Sequence, residues 1–197
     1  MVGEYHISMD LIQTNIPDVK IVVPQVFGDD RGFFKEVIHP KKLASHGINH
    51  RFVQVNHSKS QKGTLRGLHF QLPPYEQSKF VRVLSGTIID VAVDVRPNSP
   101  TFKQNVLVEL SAENHKMLYV PIGFAHGFYA VTDCEVEYAC GDIYSADFER
   151  SIRWDDNDLN INWPDQNPLL SEKDEKAKHL SDLRSELNWS KQAYSTI

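Results

Sequence analysis

The chain is poor in cysteine: Cys134 and Cys140 are its only two in 197 residues. Two are too few for a disulfide framework, and a reducing compartment is the default setting for such a chain. It also lacks a basic excess. Its 21 Lys and Arg against 26 Asp and Glu leave a formal net charge of −5. A general nucleic-acid binder is basic, so that class is not expected. An anionic ligand would need a local cationic site against the overall field. No apolar run approaches membrane-spanning length, and the opening stretch MVGEYHISMDLIQ lacks the basic-then-apolar pattern of a signal peptide. A soluble cytoplasmic protein with no nucleic-acid or membrane partner is the expectation. Neither Gly-x-x-x-x-Gly-Lys nor Gly-x-Gly-x-x-Gly occurs, which argues against phosphate-loop and dinucleotide folds. Repeats, low-complexity tracts and linkers are also missing, so one domain is expected over residues 1–197.

What the sequence does contain is strand signal. Segments 19–27, 51–58, 63–71, 79–95, 105–111, 116–121, 126–131 and 135–144 are rich in β-branched and aromatic residues. Turn residues separate them: Gly28-Asp29-Asp30, Ser85-Gly86, Pro97-Asn98-Ser99-Pro100 and Pro121-Ile122-Gly123. This spacing predicts an all-β sandwich or barrel and not βαβ units. Segment 40–47 has Pro at its start and Gly at its end and reads as a short helix. The tail 171–187 opens on a Ser cap and an acidic turn, is mostly polar, and reads as one or two surface helices.

Several polar residues interrupt the strands. In LRGLHFQL, period-two alternation puts Leu65, Gly67, His69 and Gln71 on one face and Arg66, Leu68 and Phe70 on the other. A lone strand histidine is most simply a hydrogen-bonded core residue. Gly67, two positions earlier, suggests room for a closely approaching ligand. In VPIGFAHGF a Pro-x-Gly-x-x-His turn delivers His126 to a strand. In the β-barrel superfamily called cupins this pattern often carries a metal-binding histidine, paired with an earlier His-x-His. Here the earlier strand reads His69-Phe70-Gln71, and Gln is a poor transition-metal ligand, so no metal is expected. EYACGDIY places Tyr138, Cys140, Asp142 and Tyr144 in alternating positions. Alone, aromatic residues at that spacing signal core, and nothing nearby activates either cysteine. Arg31, Arg66, Lys79 and Lys173 are dispersed cations. At a barrel mouth such residues bind phosphate, although a surface charge is more simply a solvated one.

Taken in order, VFGDDRGFFKE, FVQVNHSKSQKGTLRGLHFQLPP, KFVRVLSGTIIDVAVDVR, VPIGFAHGF, EYACGDIYSADFE, IRWDDNDLNINWP and LLSEKD resemble the dTDP-4-dehydrorhamnose 3,5-epimerases. These are cofactor-independent cupin enzymes of the L-rhamnose nucleotide-sugar pathway, and the likeness runs from about residue 19 to residue 174. The resemblance implies a cupin-like jelly roll, a double-stranded β-helix with short peripheral helices, mainly C-terminal. It implies no cofactor and a dTDP-sugar substrate, dTDP-4-dehydro-6-deoxy-D-glucose, epimerised at C3 and C5.

The resemblance also implies roles. His69 matches the catalytic base, Asp174 the carboxylate that orients it, and Tyr138 the acid on the opposite side of the sugar. Lys79 and His126 match residues near the sugar and its keto oxygen. Arg31, Glu36, Gln54, Asn56 and Arg66 match nucleotide or diphosphate contacts. Tyr144 matches the residue that stacks on thymine, and Glu149 and Lys173 match further substrate contacts. A homodimer is implied, with Arg31 and Glu36 on a swapped N-terminal segment. Two departures bear on substrate preference: the small Ala139, Cys140 and Gly141 after the tyrosine, and Val55 where an acidic residue is frequent. A C3-only epimerase of another deoxysugar pathway and a non-catalytic or metal-binding cupin are the alternative readings.

Overall fold

The computed structural model describes residues 8–49 and 51–194; the first seven residues of the MVGEYHISMDLIQ stretch lie outside the described residues. In chain order the strands are β1 (Met9–Gln13), β2 (Lys20–Pro24), β3 (Val26–Asp29), β4 (Gly32–Lys35), β5 (Gln54–Ser60), β6 (Leu65–Gln71), β7 (Lys79–Ser85), β8 (Thr87–Asp94), β9 (Asn105–Ser111), β10 (Met117–Val120), β11 (Phe124–Ala130), β12 (Cys134–Cys140) and β13 (Glu149–Ser151). Helix α1 (Pro40–Ser45) follows the β3–β4 hairpin; α2 (Glu172–Glu175) and α3 (Leu180–Leu183) lie in the tail. Six strands form one antiparallel sheet in the order β1-β2-β10-β7-β12-β5, and five form a second in the order β13-β6-β11-β8-β9. This is the cupin-like, mostly β architecture expected.

Alternation along the strands sorts the core into three layers. Between the sheets lie Val81, Val83, Ile88, Ala92, Leu118, Phe124, Phe128 and Val136. The outer face of the six-stranded sheet carries Val22, Phe80, Met117 and Tyr119, covered by Leu43 of α1 and Ile48. The outer face of the five-stranded sheet, with Leu65, Leu68, Phe70, Val91, Val93 and Val95, is covered by the chain after β13. That covering segment supplies Ile152, Trp163, Leu180, Leu183, Leu187 and Trp189, all buried. Burying side chains of this size contributes about 1.5–3 kcal/mol each.

The tail carries the two short surface helices expected, and its apolar side anchors it to the sheet. It breaks into α2, α3 and two 3₁₀ turns (Arg184–Glu186 and Lys191–Tyr194), and it buries its few apolar residues. The polar composition of segment 171–187 hid how strongly those few anchor it. Fully buried Arg96 locks the far end, bonding Asp94, Asp18 and the Ala193 carbonyl.

Other differences from the sequence reading are local. Segment 79–95 is divided into two strands at the expected Ser85-Gly86 turn, where Gly86 takes φ +77°. Segment 19–27 divides into β2 and β3, and β3 leaves the sheet to pair with β4. Segment 135–144 ends as strand at Cys140, so Asp142 and Tyr144 lie beyond the alternating ladder. Strands β1, β4 and β13 carried too little apolar patterning to be anticipated.

The consequential difference is in β6. His126 of β11 pairs with His69, but Phe128 pairs with Arg66, so three residue steps on β6 oppose two on β11. The extra residue is a bulge, and it reverses the side-chain alternation. Arg66 and His69, which strict alternation separates, both face inward, while Leu65, Leu68 and Phe70 pack outward. Gly67 makes this possible at φ +130°. A Cβ there would lie 2.5 Å from Gly127 Cα and 2.9 Å from the His126 carbonyl oxygen. The space at Gly67 is occupied by the neighbouring strand, not reserved for a ligand. Gly67→Ala is accordingly predicted to cost at least about 2 kcal/mol, because it meets a steric clash and an unfavourable φ together. Chemical denaturation giving a wild-type midpoint would refute the assignment.

Candidate active site

The bulge, the strand ends and α2 bring a set of polar side chains to one end of the space between the sheets. Arg66 and His69 come from β6, Lys79 from β7, His126 and Phe128 from β11, and Tyr138 from β12. Ser58 of β5, Glu149 of β13, and Ser171, Lys173 and Asp174 close the cavity, whose volume is about 310 Å³. Each strand contributes through the inward half of its alternation, so a conventional apolar core grades into this polar end.

His69 Nε2 lies 2.6 Å from Asp174 Oδ1. An ionised carboxylate only accepts, so Nε2 carries the proton and Nδ1 keeps the basic lone pair. Asp174 is held by its helix: Ser171 is the N-cap of α2, accepting from the Asp174 N–H and donating through Oγ to Asp174 Oδ2 at 2.9 Å. Burial pushes the His69 pKa down, aided by the Lys173 and Lys79 charges and opposed by Asp174. Burial acts on Asp174 in the other sense, but bonds from His69 and Ser171 outweigh it and hold the carboxyl below its ordinary value. The dyad is thus set as neutral imidazole and carboxylate near neutral pH.

Around it, Lys79 is buried, with Nζ 3.3 Å from the His69 carbonyl oxygen; desolvation lowers its pKa. The Tyr138 phenol is pushed up by burial and so keeps its proton. His126 Nε2 lies 2.7 Å from Asp90 Oδ1. Arg66 donates to Ser60 Oγ and the Lys59 carbonyl. Glu149 links two neighbours: Lys173 Nζ at 2.6 Å and the Tyr144 hydroxyl at 2.9 Å. Despite burial, these partners hold its carboxyl below the usual range. Gln54 accepts from the Tyr144 N–H and donates to Asn56, whose amide reaches Cys140 Sγ at 3.6 Å.

Of the residues singled out from the sequence, Gln54, Asn56 and Tyr144 do not line the cavity but form a hydrogen-bonded chain that reaches it at Glu149, and two others are elsewhere. Arg31 is exposed on the β3–β4 hairpin and pairs with Asp29, while Glu36 pairs with Lys42 of α1 at 2.6 Å. Neither lines the cavity. Conversely, Ser58, Phe128 and Asp90 escaped the sequence reading, and Ser171, read there only as a helix cap, also lines the cavity. Ser58 and Asp90 lie on inward positions of strands and were legible only once register was known. Among the described residues, no group of three or more His, Cys, Asp or Glu side chains is arranged to hold a metal ion, and no helix is long and apolar enough to cross a membrane.

The profile of dTDP-4-dehydrorhamnose 3,5-epimerase matches residues 13–182. The chain belongs to that family. A dTDP-4-dehydrorhamnose 3,5-epimerase from Shigella flexneri is 54% identical over 84% of this chain and 93% of its own. Among solved structures, the dTDP-6-deoxy-D-glucose-3,5-epimerase of Legionella pneumophila, in complex with dTDP-4-keto-L-rhamnose, aligns with a TM-score of 0.88. It shares 46% identity over 92% of this chain and 97% of that one. The Bacillus anthracis dTDP-4-dehydrorhamnose 3,5-epimerase, with TDP and pyrophosphate bound, aligns at a TM-score of 0.85. There the identity is 47% over 87% and 99% of the two chains.

The His69 environment of this epimerase-family protein predicts a pH effect on stability. A histidine whose pKa falls on folding binds fewer protons native than unfolded, so stability rises with pH as the pH climbs toward the unfolded value of about 6.5. His69→Gln should therefore flatten the rise of Tm between about pH 5 and 7. His115, also lowered by burial, retains part of the slope. Superimposable Tm profiles would show that His69 is not held neutral by the fold.

Proposed function

We propose that this chain epimerises dTDP-4-dehydro-6-deoxy-D-glucose at C3 and C5, yielding dTDP-4-dehydro-L-rhamnose. The observation that carries the reading is the carboxylate-backed, buried His69 sharing one cavity with Lys79 and Tyr138. A ketone at C4 acidifies the hydrogens on C3 and C5, but only weakly. His69 Nδ1 takes the proton, and the C–H electron pair moves onto the C4 oxygen as an enolate. The Lys79 ammonium stabilises that charge in a cavity with little water. Asp174 offsets the charge His69 acquires. Inversion follows when the pair returns to carbon and collects the phenolic proton of Tyr138 from the other face. Exchange with solvent then resets both groups. No hydride moves, so the sequence of steps calls for no redox cofactor.

In this reading Arg66 and Lys173 attract the diphosphate, and Gln54, Asn56, Tyr144 and Glu149 receive the nucleotide. Arg31 and Glu36 belong to the partner's site in a homodimer. Support for association comes from exposed apolar surface: Phe33 and Phe34 on the hairpin are each 61% exposed and Val55 on β5 is 62% exposed. An apolar groove between α1 and β5, lined by Ile38, Leu43, Phe52 and Val55, adjoins it. The reading includes a single domain over residues 1–197 and a cytoplasmic setting, the latter supported by two free, buried cysteines.

Incubation with dTDP-4-dehydro-6-deoxy-D-glucose in heavy water tests the chemistry. NMR should show deuterium at both C3 and C5; label at C3 alone would favour the C3-only reading. His69→Ala should lose exchange by about 10²–10⁴-fold or more. Tyr138→Phe should retain part of the exchange while forming little inverted sugar. Wild-type rates of both processes in Tyr138→Phe would make Tyr138 a packing residue. Sedimentation should give a dimer at micromolar concentration, and Arg31→Ala should weaken dTDP binding; a stable monomer would remove the partner-supplied contacts.

A further inference from the structure

A second carboxylate–imidazole pair stands beside the one the epimerisation uses. Asp90 of β8 is fully buried, and its Oδ1 meets His126 Nε2 at 2.7 Å. His126 is also buried and lines the cavity. In the β6–β11 ladder it is the direct partner of His69. Side chains so paired stand about 4.5–5.5 Å apart at Cβ on one face of the sheet. Two imidazoles therefore sit side by side, each backed by a carboxylate from a different element.

The pairs differ in what surrounds the carboxylate. Asp174 has a second donor in the Ser171 hydroxyl. Asp90 Oδ2 is buried and meets no donor among the described residues. A buried carboxylate with a single hydrogen bond needs a compensating cation. His126 is in contact with it, and the Lys79 ammonium is supported by its charge. On the other side, burial together with Lys79 and Lys173 favours neutral His69. The remaining ionisable groups on the cavity are Arg66, Tyr138, Glu149 and Asp174; Arg66 is engaged by Ser60 and the Lys59 carbonyl, and the two carboxylates already have cationic or imidazole partners. Among these groups His126 is the one in hydrogen-bond contact with Asp90, at 2.7 Å.

We propose that Asp90 is a positioning residue for the carbonyl end of this site, holding His126 as an imidazolium beside Lys79 so that the oxygen of a bound 4-keto sugar meets two cationic donors. The inference rests on the proposed epimerisation and extends it. Neighbouring histidines take opposite states: His69 stays neutral and removes the proton, while His126 stays charged and donates to the developing enolate without giving up its proton. A pair with the proton on Asp90 and a neutral His126 would be a purely structural arrangement.

Imidazole ¹⁵N NMR of the full-length, uniformly labelled protein without ligand distinguishes them. At about pH 7, where an unperturbed histidine is mostly neutral, wild-type His126 should show both nitrogens protonated. In Asp90→Asn it should show one protonated nitrogen. The same variant should lower kcat for exchange of the sugar hydrogens by about 10²-fold, the effect of losing one oxyanion donor, with KM little changed. A neutral His126 in the wild type overturns the proposal whatever the variants do. So does an imidazolium that persists in Asp90→Asn, or wild-type exchange by that variant. His126→Gln provides an independent check and should show a matching loss in kcat. The ¹⁵N spectrum needs no substrate, so a wild type that fails to exchange sugar hydrogens would count against the epimerase reading alone.

Discussion

The contact between Gly67 and Gly127 is the constraint on which the rest of the site depends. Two adjacent strands of the five-stranded sheet approach so closely there that neither position accommodates a side chain: a Cβ on Gly127 would lie 2.7 Å from the Arg66 carbonyl oxygen. The approach allows β6 to carry one residue more than β11 across the same interval. Without that residue Arg66 and His69 would face opposite layers, one toward the cavity and one into the apolar layer beneath the tail. With it, a cation and an imidazole share the cavity, and Leu65, Leu68 and Phe70 keep the outer layer intact.

The second dependence runs through the tail. Its apolar residues dock on the outer face of the five-stranded sheet, and in doing so carry α2 to the mouth of the cavity. Asp174 is thereby a long-range partner of His69, 105 residues away in sequence. The Ser171 cap orients the carboxylate locally, and the packing of Leu180, Leu183 and Trp189 fixes where the helix sits. Site geometry and stability are coupled here: loosening the tail would separate His69 from its carboxylate before it unfolded either sheet.

The polar end of the sandwich also separates the roles of similar groups. Lys79 lies in a desolvated position, where a charge acts strongly on its neighbours. Lys173 is paired with Glu149, and Tyr144 completes that chain at the rim. Arg31 and Glu36 sit outside the cavity altogether. The proposed assignments of base, acid, oxyanion donor and phosphate contact follow these environments more than residue type, because burial and the neighbouring charge set the protonation state of each group.

Much of this was legible in the sequence by itself. Its strand-rich, repeat-free pattern determined an all-β sandwich, and the order of its motifs determined the epimerase family. The resemblance carried by those motifs, which lie in continuous stretches of chain, points to His69, Lys79, Tyr138 and Asp174. Only the tertiary structure decided which of them meet. Side-chain facing in a strand follows period two until a bulge adds a residue, and no local signal at Gly67 distinguishes a bulge from an open site. The buried course of the tail, the pairing of Asp90 with His126 and the absence of Arg31 from the cavity depend on register and on packing between distant segments. Those are set by which strands become neighbours, and sequence proximity carries no information about that.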